Sequence, residues 1–149
     1  MVHLKANNGV YVSRKVVNTK QFIDWALSVG FKEVNSDPHV TVAYSREYFI
    51  NPEPEMGQFR VEPRNFIGID KLGDATVLKF KSNTLQNDFK QKIKAGATWD
   101  YPDYHCHVTI SYGIQDTIDM MPDFPLLFSK ELNEELNENY TDEIDTISN

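Results

Sequence analysis

Apolar residues in the first third of the chain change from a strand-like to a helix-like spacing and back again. Val10–Val17 is rich in β-branched residues and predicts a strand. A helix is predicted next, with Asn18 or Thr19 as its N-cap and Gly30 at its end. The apolar residues of that helix recur at the spacing of one face: Phe22, Ile23, Ala26 and Leu27. His39–Ser45 follows a turn-like segment and predicts a second strand.

The same order of elements recurs in the second half of the chain. Ala75–Phe80 predicts a strand, and Ser82–Thr84 offers N-caps for a helix that Gly96 ends. The apolar positions of this helix lie four residues apart on one face: Leu85, Phe89 and Ile93. A proline-containing turn then leads into a strand at His107–Tyr112. The sequence therefore predicts one α+β domain of two similar β-α-β lobes, in an order typical of an internal duplication.

The segments outside the two repeats predict further strands. Residues 51–57 predict a loop, and Phe59–Ile69 predicts a strand between the halves. After a break at Pro122–Pro125, apolar residues of one parity predict a last strand or a pair of strands: Phe124, Leu126, Phe128, Leu132 and Leu136.

Charge is distributed unevenly along the 149 residues. The formal net charge is −7, and no lysine or arginine follows Lys130. The segment after Lys130 carries seven acids: Glu131, Glu134, Glu135, Glu138, Asp142, Glu143 and Asp145. Residues 1–130 hold 15 bases and the other 15 of the 22 acids, and are neutral. The body therefore lacks the basic stripe that grips long nucleic acids.

Composition predicts a single domain in a reducing compartment. With 40% hydrophobic and 12% aromatic residues, a chain of this length can bury a core without covalent staples. The lone Cys106 excludes an internal disulfide. Neither a signal-peptide-like start nor an apolar run long enough for a membrane span occurs. We therefore expect a cytoplasmic protein with no membrane partner.

The second strand of each half carries the same residue types. His39–Ser45 (HVTVAYS) aligns with His107–Gly113 (HVTISYG), in a chain that has four histidines. Residues two apart in a strand share a face, so each histidine lies beside a threonine, Thr41 or Thr109. If the halves pack about a pseudo-two-fold axis, the two imidazoles can act as general base and general acid across one cleft. The threonine hydroxyls can donate to the oxygens of a phosphate between them.

The remaining histidines predict less. His3 and His105 are best explained as ordinary surface or core residues. The run His105-Cys106-His107 could also hold a metal ion, but no Cys-x-x-Cys or Glu-x-x-His pair completes a ligand set. We therefore expect neither a metal nor another cofactor.

The paired His-x-Thr strands resemble those of the 2H phosphoesterases, a superfamily that includes the LigT-like RNA-end enzymes. Within it, the chain most resembles the phage anti-CBASS cyclic-oligonucleotide phosphodiesterases. Gly9–Val12, His39–Arg46 and the run Gly96–Tyr104 that leads into His107–Tyr112 carry this closer similarity. The resemblance covers nearly the whole chain and implies a bilobed fold, with antiparallel sheets around a central cleft, in a single domain over residues 1–149.

The resemblance also implies an activity, namely metal-independent cleavage of the 3′–5′ bonds of cyclic di- and trinucleotides such as cGAMP. One histidine would activate the ribose 2′-hydroxyl, and the other would protonate the departing 5′-oxygen. A 2′,3′-cyclic phosphate would form and then be hydrolysed with the roles exchanged, while Thr41 and Thr109 hold the phosphate. Such an enzyme would be a phage counter-defence against bacterial CBASS immunity, acting in the host bacterial cytoplasm.

Three further positions resemble substrate-binding residues of that family. Tyr11 matches an aromatic residue suited to stacking on a nucleobase. Glu134 and Tyr140 match a C-terminal acid and a lid aromatic six residues later, so part of the acidic segment 131–149 would form a wall or lid of the site. Glu135 takes the place of Glu134 if the register differs by one residue.

Two positions depart from the family pattern, and two other functions stay open. Ile69 stands where the family often has a tryptophan in the middle strand, and Cys106 replaces a proline often found before the second histidine. One alternative is an RNA-end-processing enzyme that opens 2′,3′-cyclic phosphates. The other is a cyclic-nucleotide sponge that binds its ligand without cleaving it.

Overall fold

The computed structural model describes residues 8–54, 56–113 and 118–136. In these residues the elements follow in this order: β1 (Val10–Lys15), α1 (Thr19–Ser28), β2 (His39–Ser45), β3 (Phe59–Val61), a 3-10 turn (Pro63–Asn65), β4 (Phe66–Leu72), β5 (Ala75–Phe80), α2 (Asn83–Lys94), β6 (His107–Tyr112), β7 (Leu126–Phe128) and β8 (Leu132–Glu135). Antiparallel strands and α-helices therefore confirm the predicted α+β class.

The two repeats form two lobes that share a core. Within the described residues, one sheet has the order β2-β1-β8, another has the order β4-β5-β6, and β3 pairs with β7. Helix α1 connects β1 to β2 and α2 connects β5 to β6, which confirms the duplicated β-α-β order. Strands β2 and β6 each end their sheet and contact each other. The two His-x-Thr strands therefore meet between the lobes.

Three strands have the bounds that the sequence pattern predicts, and the bounds differ at β1 and around Pro63. Strands β2, β5 and β6 have the predicted bounds, and the end of the described chain forms the predicted pair of strands. Strand β1 is two residues shorter than predicted, because Val16 forms only an isolated bridge with Phe128. The single strand predicted over Phe59–Ile69 is wrong. Pro63 has no N–H to donate to a ladder, and a 3-10 turn separates β3 from β4 there.

The helices bury faces that differ from the predicted ones. In α2, Leu85 is buried as predicted but Ile93 is 39% exposed. Asp88 and Lys92 are buried in its place, because the loop and strands beside this helix offer charged partners. In α1 the buried face is narrower than the predicted one, since Leu27 is 57% exposed. Among the described residues, neither helix is long and apolar enough to cross a membrane.

A cluster of buried charges joins α2 to β1 and to the connection between β7 and β8. Each of its side chains is at most 4% exposed: Arg14, Asp88, Lys92 and Glu131. The Lys92 Nζ atom lies 2.9 Å from Asp88 Oδ1 and 2.8 Å from Glu131 Oε1. Arg14 Nη2 lies 3.7 Å from Asp88 and 3.8 Å from Glu131. We call these four residues the buried charge cluster, and it anchors the chain just before β8.

The carboxyl of Glu131 titrates near neutrality in the folded protein. Burial raises the pKa of this group from its usual 4.5 to about 7, with further contributions from a hydrogen bond to Asp88 and from the charge of Asp88. Lys92 acts in the opposite direction. A carboxyl whose pKa is raised on folding binds a proton more tightly in the native state. Its contribution to stability is therefore complete at acid pH and is lost as the pH rises through 7.

Replacing Glu131 with glutamine should remove this pH dependence. We expect the free energy of unfolding of the wild-type protein to fall as the pH rises from about 5 to about 8, and that slope should be flatter in Glu131→Gln. Urea unfolding at several pH values measures the slope. Glu47→Gln, a change of the same type at an exposed position, is the control and should keep the wild-type slope. An unchanged slope in Glu131→Gln would contradict the assignment.

Candidate active site

A β-bulge follows the threonine of the first His-x-Thr pair. Thr41 lies opposite Ser13 in the β1–β2 ladder, and Ala43 lies opposite Val12, so that Val42 is an extra residue without an opposite partner. A bulge reverses the alternation of faces beyond it. Tyr44 therefore points to the same face as Thr41, although strict alternation would place it on the other face.

The second His-x-Thr strand has the same irregularity at the equivalent position. Thr109 lies opposite Val77 in the β5–β6 ladder, and Ser111 lies opposite Thr76, so that Ile110 is the extra residue. The duplication thus extends from the side chains to the backbone irregularity. In both lobes the histidine, the threonine and the tyrosine after the bulge share one face.

Both site histidines are held in one tautomer by the backbone. His39 Nδ1 lies 2.8 Å from the carbonyl oxygen of Asp37, and His107 Nδ1 lies 3.1 Å from that of His105. A carbonyl oxygen can only accept, so Nδ1 carries the proton in each ring. The Nε2 atom of each neutral ring is therefore the one that can take a proton from a substrate.

The neutral form of His107 is further favoured by its surroundings. Burial lowers the pKa of its imidazole below the usual 6.5, and the charges of His39, Lys79 and His105 lower it further, against a hydrogen bond to the backbone of His105. The shift therefore favours the neutral form of the His107 ring, which is the form that can accept a proton.

Reciprocal hydrogen bonds between the lobes fix the two threonine strands. Asn35, in the turn before β2, donates its side-chain amide to the carbonyl of Thr109 at 3.0 Å, and its backbone N–H donates to Ile110 at 2.8 Å. Tyr104, in the turn before β6, donates its hydroxyl to the carbonyl of Thr41 at 2.6 Å. Both side chains are buried. We call these contacts the cross-lobe tethers, because each turn holds the His-x-Thr strand of the other lobe.

Removing one cross-lobe tether should weaken both the fold and the site. Asn35→Ala leaves the Thr109 carbonyl without its donor, which we expect to cost about 1–3 kcal/mol of stability. We also expect a fall in kcat of at least tenfold, because a displacement of about 1 Å in the reacting groups has a large effect. Thermal unfolding and steady-state kinetics measure the two effects. Asn87→Ala, at an exposed position of α2, should match the wild type, and an active Asn35→Ala enzyme would contradict the role of the tether.

A cavity of about 310 Å³ lies against this constellation. Thr41, Tyr44 and His107 line it directly, and its other walls come from three strand residues of the second lobe and from the aromatic segment 99–105. The strand residues in that wall are Leu72, Val77 and Lys79. The structure thus places all four predicted catalytic residues on strands that meet, with one member of each His-x-Thr pair in the cavity wall.

The lobes differ at the position opposite the tyrosine that follows each bulge. In the first lobe Tyr11 lies opposite Tyr44, and in the second lobe Ala75 lies opposite Tyr112. Tyr11 is only 8% exposed and fills its side of the site. Among the described residues that line the cavity, Thr41 and Tyr44 come from the first lobe and all the others from the range 72–107.

Tyr11 makes contacts to the catalytic groups that the sequence did not predict. Its hydroxyl lies 2.9 Å from Thr41 Oγ1, and its ring meets that of His39 edge-on at 6.4 Å between centroids. Together with Tyr44 and Leu136 it forms a small buried cluster. Stacking of Tyr11 on a nucleobase stays a prediction.

The register of β8 places the two candidate acids differently. Glu134 lies opposite Tyr11 and therefore projects to the face that carries Tyr11. Glu135 lies opposite Val10, and its carboxylate accepts a hydrogen bond of 2.9 Å from Asn8. This placement favours Glu134 as the acid of the site, and its binding role stays a prediction. Tyr140 lies outside the described residues.

The two positions that depart from the family pattern both lie at the core. Ile69 packs against the core and lies on the face of β4 opposite to Leu72, which lines the cavity. Cys106 is also in the core, and burial raises the pKa of its thiol to about 12, which disfavours the thiolate that binds metals. Within the described ranges, no group of three or more His, Cys, Asp or Glu residues lies close enough together to hold a metal ion.

The sequence pattern does not single out Asn35, Tyr104 or Lys79. Asn35 precedes His39 by four residues, and Tyr104 precedes His107 by three. This near-equivalent position in the duplication is the one signal in the sequence that could have identified them. Lys79 lies opposite His107 in the β5–β6 ladder, as Lys15 lies opposite His39. That equivalence follows only from the register.

Two solved structures of one bacterial protein share this fold. The apo form of E. coli LigT gives a TM-score of 0.52 at 13% sequence identity, with 89% of this chain and 96% of LigT covered. LigT complexed with 3′-AMP gives a TM-score of 0.55 at 12% identity, with 88% and 96% covered. The predicted bilobed LigT-like fold is thereby confirmed.

Similarity in sequence is higher to proteins named anti-CBASS protein Acb1. That of Caulobacter sp. (strain RHG1) is 36% identical over 143 residues, covering 87% of this chain and 23% of the relative. That of Sphingomonas paeninsulae is 34% identical over 123 residues, covering 72% and 19%. That of Escherichia phage RB16 is 32% identical over 78 residues, covering 50% and 43%. The chain thus spans about a fifth of the length of the two bacterial relatives.

The family profile described as anti-CBASS protein Acb1 matches residues 8–143, a range that includes both His-x-Thr strands and both cross-lobe tethers. On the strength of this match and of the relatives that are more than 30% identical, the chain belongs to the Acb1 family of anti-CBASS proteins.

Proposed function

We propose that this chain is a metal-independent phosphodiesterase that cleaves the 3′–5′ bonds of cyclic di- or trinucleotides. The observation that carries the proposal is the duplicated His-x-Thr constellation. Both rings carry their proton on Nδ1, both leave Nε2 for proton transfer, and two threonines stand beside them. Membership of the Acb1 family supports cyclic messengers of CBASS immunity as the substrates, and a phage counter-defence in the host bacterial cytoplasm as the purpose.

In the proposed first step His107 is the base and His39 is the acid. His107 Nε2 takes the proton of the ribose 2′-hydroxyl, whose oxygen attacks the phosphorus. The bond to the 5′-oxygen breaks, and that oxygen takes a proton from Nε2 of His39, which enters this step as the doubly protonated imidazolium. Burial of His107, which lowers its pKa, favours the neutral ring that a base requires.

The second step would reverse these roles on the 2′,3′-cyclic phosphate. His39 Nε2 takes a proton from water, the water oxygen attacks the phosphorus, and the ring opens to a phosphate monoester. His107 returns its proton to the departing ribose oxygen. Each histidine is thereby restored to its initial state.

The threonines would stabilise the charge that develops on the phosphate oxygens. When Tyr11 donates its proton to Thr41 Oγ1, the proton of Thr41 is free to point to the phosphate. Thr109 holds the equivalent place on the other strand. Tyr11 and Glu134 would contact the nucleotide from the first lobe, and Tyr140 would close over it from the acidic segment.

The cavity and the charge of the chain favour a small nucleotide as the substrate rather than a long RNA. Its wall from residue 99 to residue 105 is rich in aromatic side chains, which suit stacking with bases. The body of the chain is neutral, whereas long nucleic acids are gripped by many lysines and arginines. The alternative function, opening of RNA 2′,3′-cyclic ends, would use the same two histidines. A comparison of the two kinds of substrate distinguishes it from the cleavage of cyclic nucleotides.

The test is a panel of cyclic di- and trinucleotides together with an RNA that has a 2′,3′-cyclic end, incubated with the protein in EDTA. Chromatography should show linear products from at least one cyclic nucleotide. Conversion of the RNA alone would support RNA-end processing, and depletion of a cyclic nucleotide without products would support a sponge. Loss of cleavage in EDTA would contradict the metal-independent mechanism.

A further inference from the structure

We propose that Lys79 binds a phosphate of the substrate other than the one being cleaved. The inference deepens the proposed function, on which it rests, because it makes the site selective for nucleotides with at least two phosphates. Lys79 would then be a specificity residue, with no part in the transfer of protons.

Lys79 faces the cavity on the same side of the sheet as the catalytic groups. The register after the bulge places Lys79 opposite His107 and Val77 opposite Thr109, and both β5 residues line the cavity. Among the lining residues that the structure describes, Lys79 is the only lysine or arginine. A second phosphate held in this cavity would thus meet its positive charge here.

The ammonium group lies to one side of the catalytic residues. Its Nζ atom is 3.1 Å from Asp70 Oδ2, and Asp70 belongs to β4, on the side of β5 that faces away from β6. Neighbouring strands are about 5 Å apart, and this ion pair directs the ammonium toward the strand that is farther from His107. A phosphate held by Lys79 would therefore lie to the β4 side of the phosphate between the two His-x-Thr pairs.

The ion pair that holds Lys79 is one that a phosphate can replace. Lys79 is 41% exposed and Asp70 is 58% exposed, and exposed ion pairs of this kind stabilise a protein little. Two acids line the same cavity, namely Asp103 and Asp100, and Asp100 is paired with Arg46 at 2.9 Å. The charge of Lys79 would offset the repulsion between Asp103 and a ligand with several phosphates.

Lys15 provides a matched control in the other lobe. It lies opposite His39, is also 41% exposed and forms an ion pair with Asp37 at 2.6 Å. It differs from Lys79 in that it does not line the cavity described above. Replacing either lysine with glutamine therefore removes a positive charge beside a site histidine, but only the replacement of Lys79 changes a residue that lines the cavity.

The experiment compares Lys79→Gln, Lys79→Arg and Lys15→Gln with the wild type. For each protein we would measure KM for a cyclic dinucleotide that the wild type cleaves, and the inhibition constant of a 2′,3′-cyclic mononucleotide, which has one phosphate. Lys79→Gln should raise the KM on the order of tenfold and leave the inhibition constant within about twofold. Lys79→Arg should restore the KM, and Lys15→Gln should leave both constants unchanged.

Each other outcome overturns the inference in a recognisable way. Equal losses on both ligands would mean that Lys79 contacts the cleaved phosphate or acts through His107, since both ligands meet that histidine. An unchanged KM in Lys79→Gln would mean that the lysine is only a surface ion pair. If the wild type cleaves no cyclic nucleotide, the proposed function itself fails, and the inference fails with it.

Discussion

Replacing either His39 or His107 with asparagine should lower kcat for the cleavage of a cyclic dinucleotide by a factor between about 10² and 10⁴. Asparagine is polar and of similar shape, so it can occupy the place of the ring, but it cannot exchange a proton near pH 7. In the proposed mechanism both histidines act in the same step, one as base and one as acid. The double variant should therefore be little worse than the worse of the two single variants.

Thermal unfolding must accompany these kinetics, because a loss of activity has meaning only in a folded protein. Both rings are partly exposed at the cleft, and their replacement leaves the core intact. We expect melting temperatures close to that of the wild type. Lys20→Gln, at an exposed position of α1 far from the cleft, is the control for handling of the variants. A folded variant with more than about a tenth of the wild-type kcat would contradict acid–base catalysis by these residues.

Replacing Lys92 with methionine should be the most destabilising of the changes considered. Lys92 lies between the carboxylates of Asp88 and Glu131 and is fully buried. Methionine fills the same volume but leaves the two acids with only Arg14 as a cation. Removing one partner of a buried ion pair typically costs about 3–5 kcal/mol.

Urea unfolding tests this expectation against a neighbour on the same helix. Lys90→Met makes the same chemical change at an exposed position and should alter the free energy of unfolding by less than about 0.5 kcal/mol. Adding Glu131→Gln to Lys92→Met should recover part of the loss, because it removes one of the two acids. Similar stabilities for Lys92→Met and Lys90→Met would show that the buried charge cluster contributes little.

The elements that carry the chemistry were the easiest to predict from the sequence. Strands β2 and β6 each contain three consecutive β-branched residues and were predicted with their bounds. Their repeated histidines and threonines point to candidate catalytic residues because both signals, strand propensity and side-chain chemistry, are local. The break at Pro63 was also a local signal, and the prediction of a continuous strand over Phe59–Ile69 did not use it.

Features that depend on contacts between segments far apart in the chain could not be predicted from the sequence. Nothing in the residue types of Val42 and Ile110 indicates a bulge, and strict alternation would place Tyr44 and Tyr112 on the wrong face. The buried face of α2 was predicted from the spacing of its apolar residues. That spacing cannot reveal the burial of Lys92, because this burial depends on Glu131, which is 39 residues away in the chain. The cross-lobe tethers likewise require that both lobes be packed.

The unequal walls of the cavity have a consequence for the order of products. A cyclic dinucleotide of two identical nucleotides is symmetric, as the paired His-x-Thr strands nearly are. The cavity wall is not, since Thr41 and Tyr44 are the only described lining residues from the first lobe. The ring would therefore present one of its two bonds to the histidines, and the second bond would reach them only after the opened molecule has left and returned turned around. On this basis we expect distributive hydrolysis, in which a linear dinucleotide accumulates before mononucleotides appear.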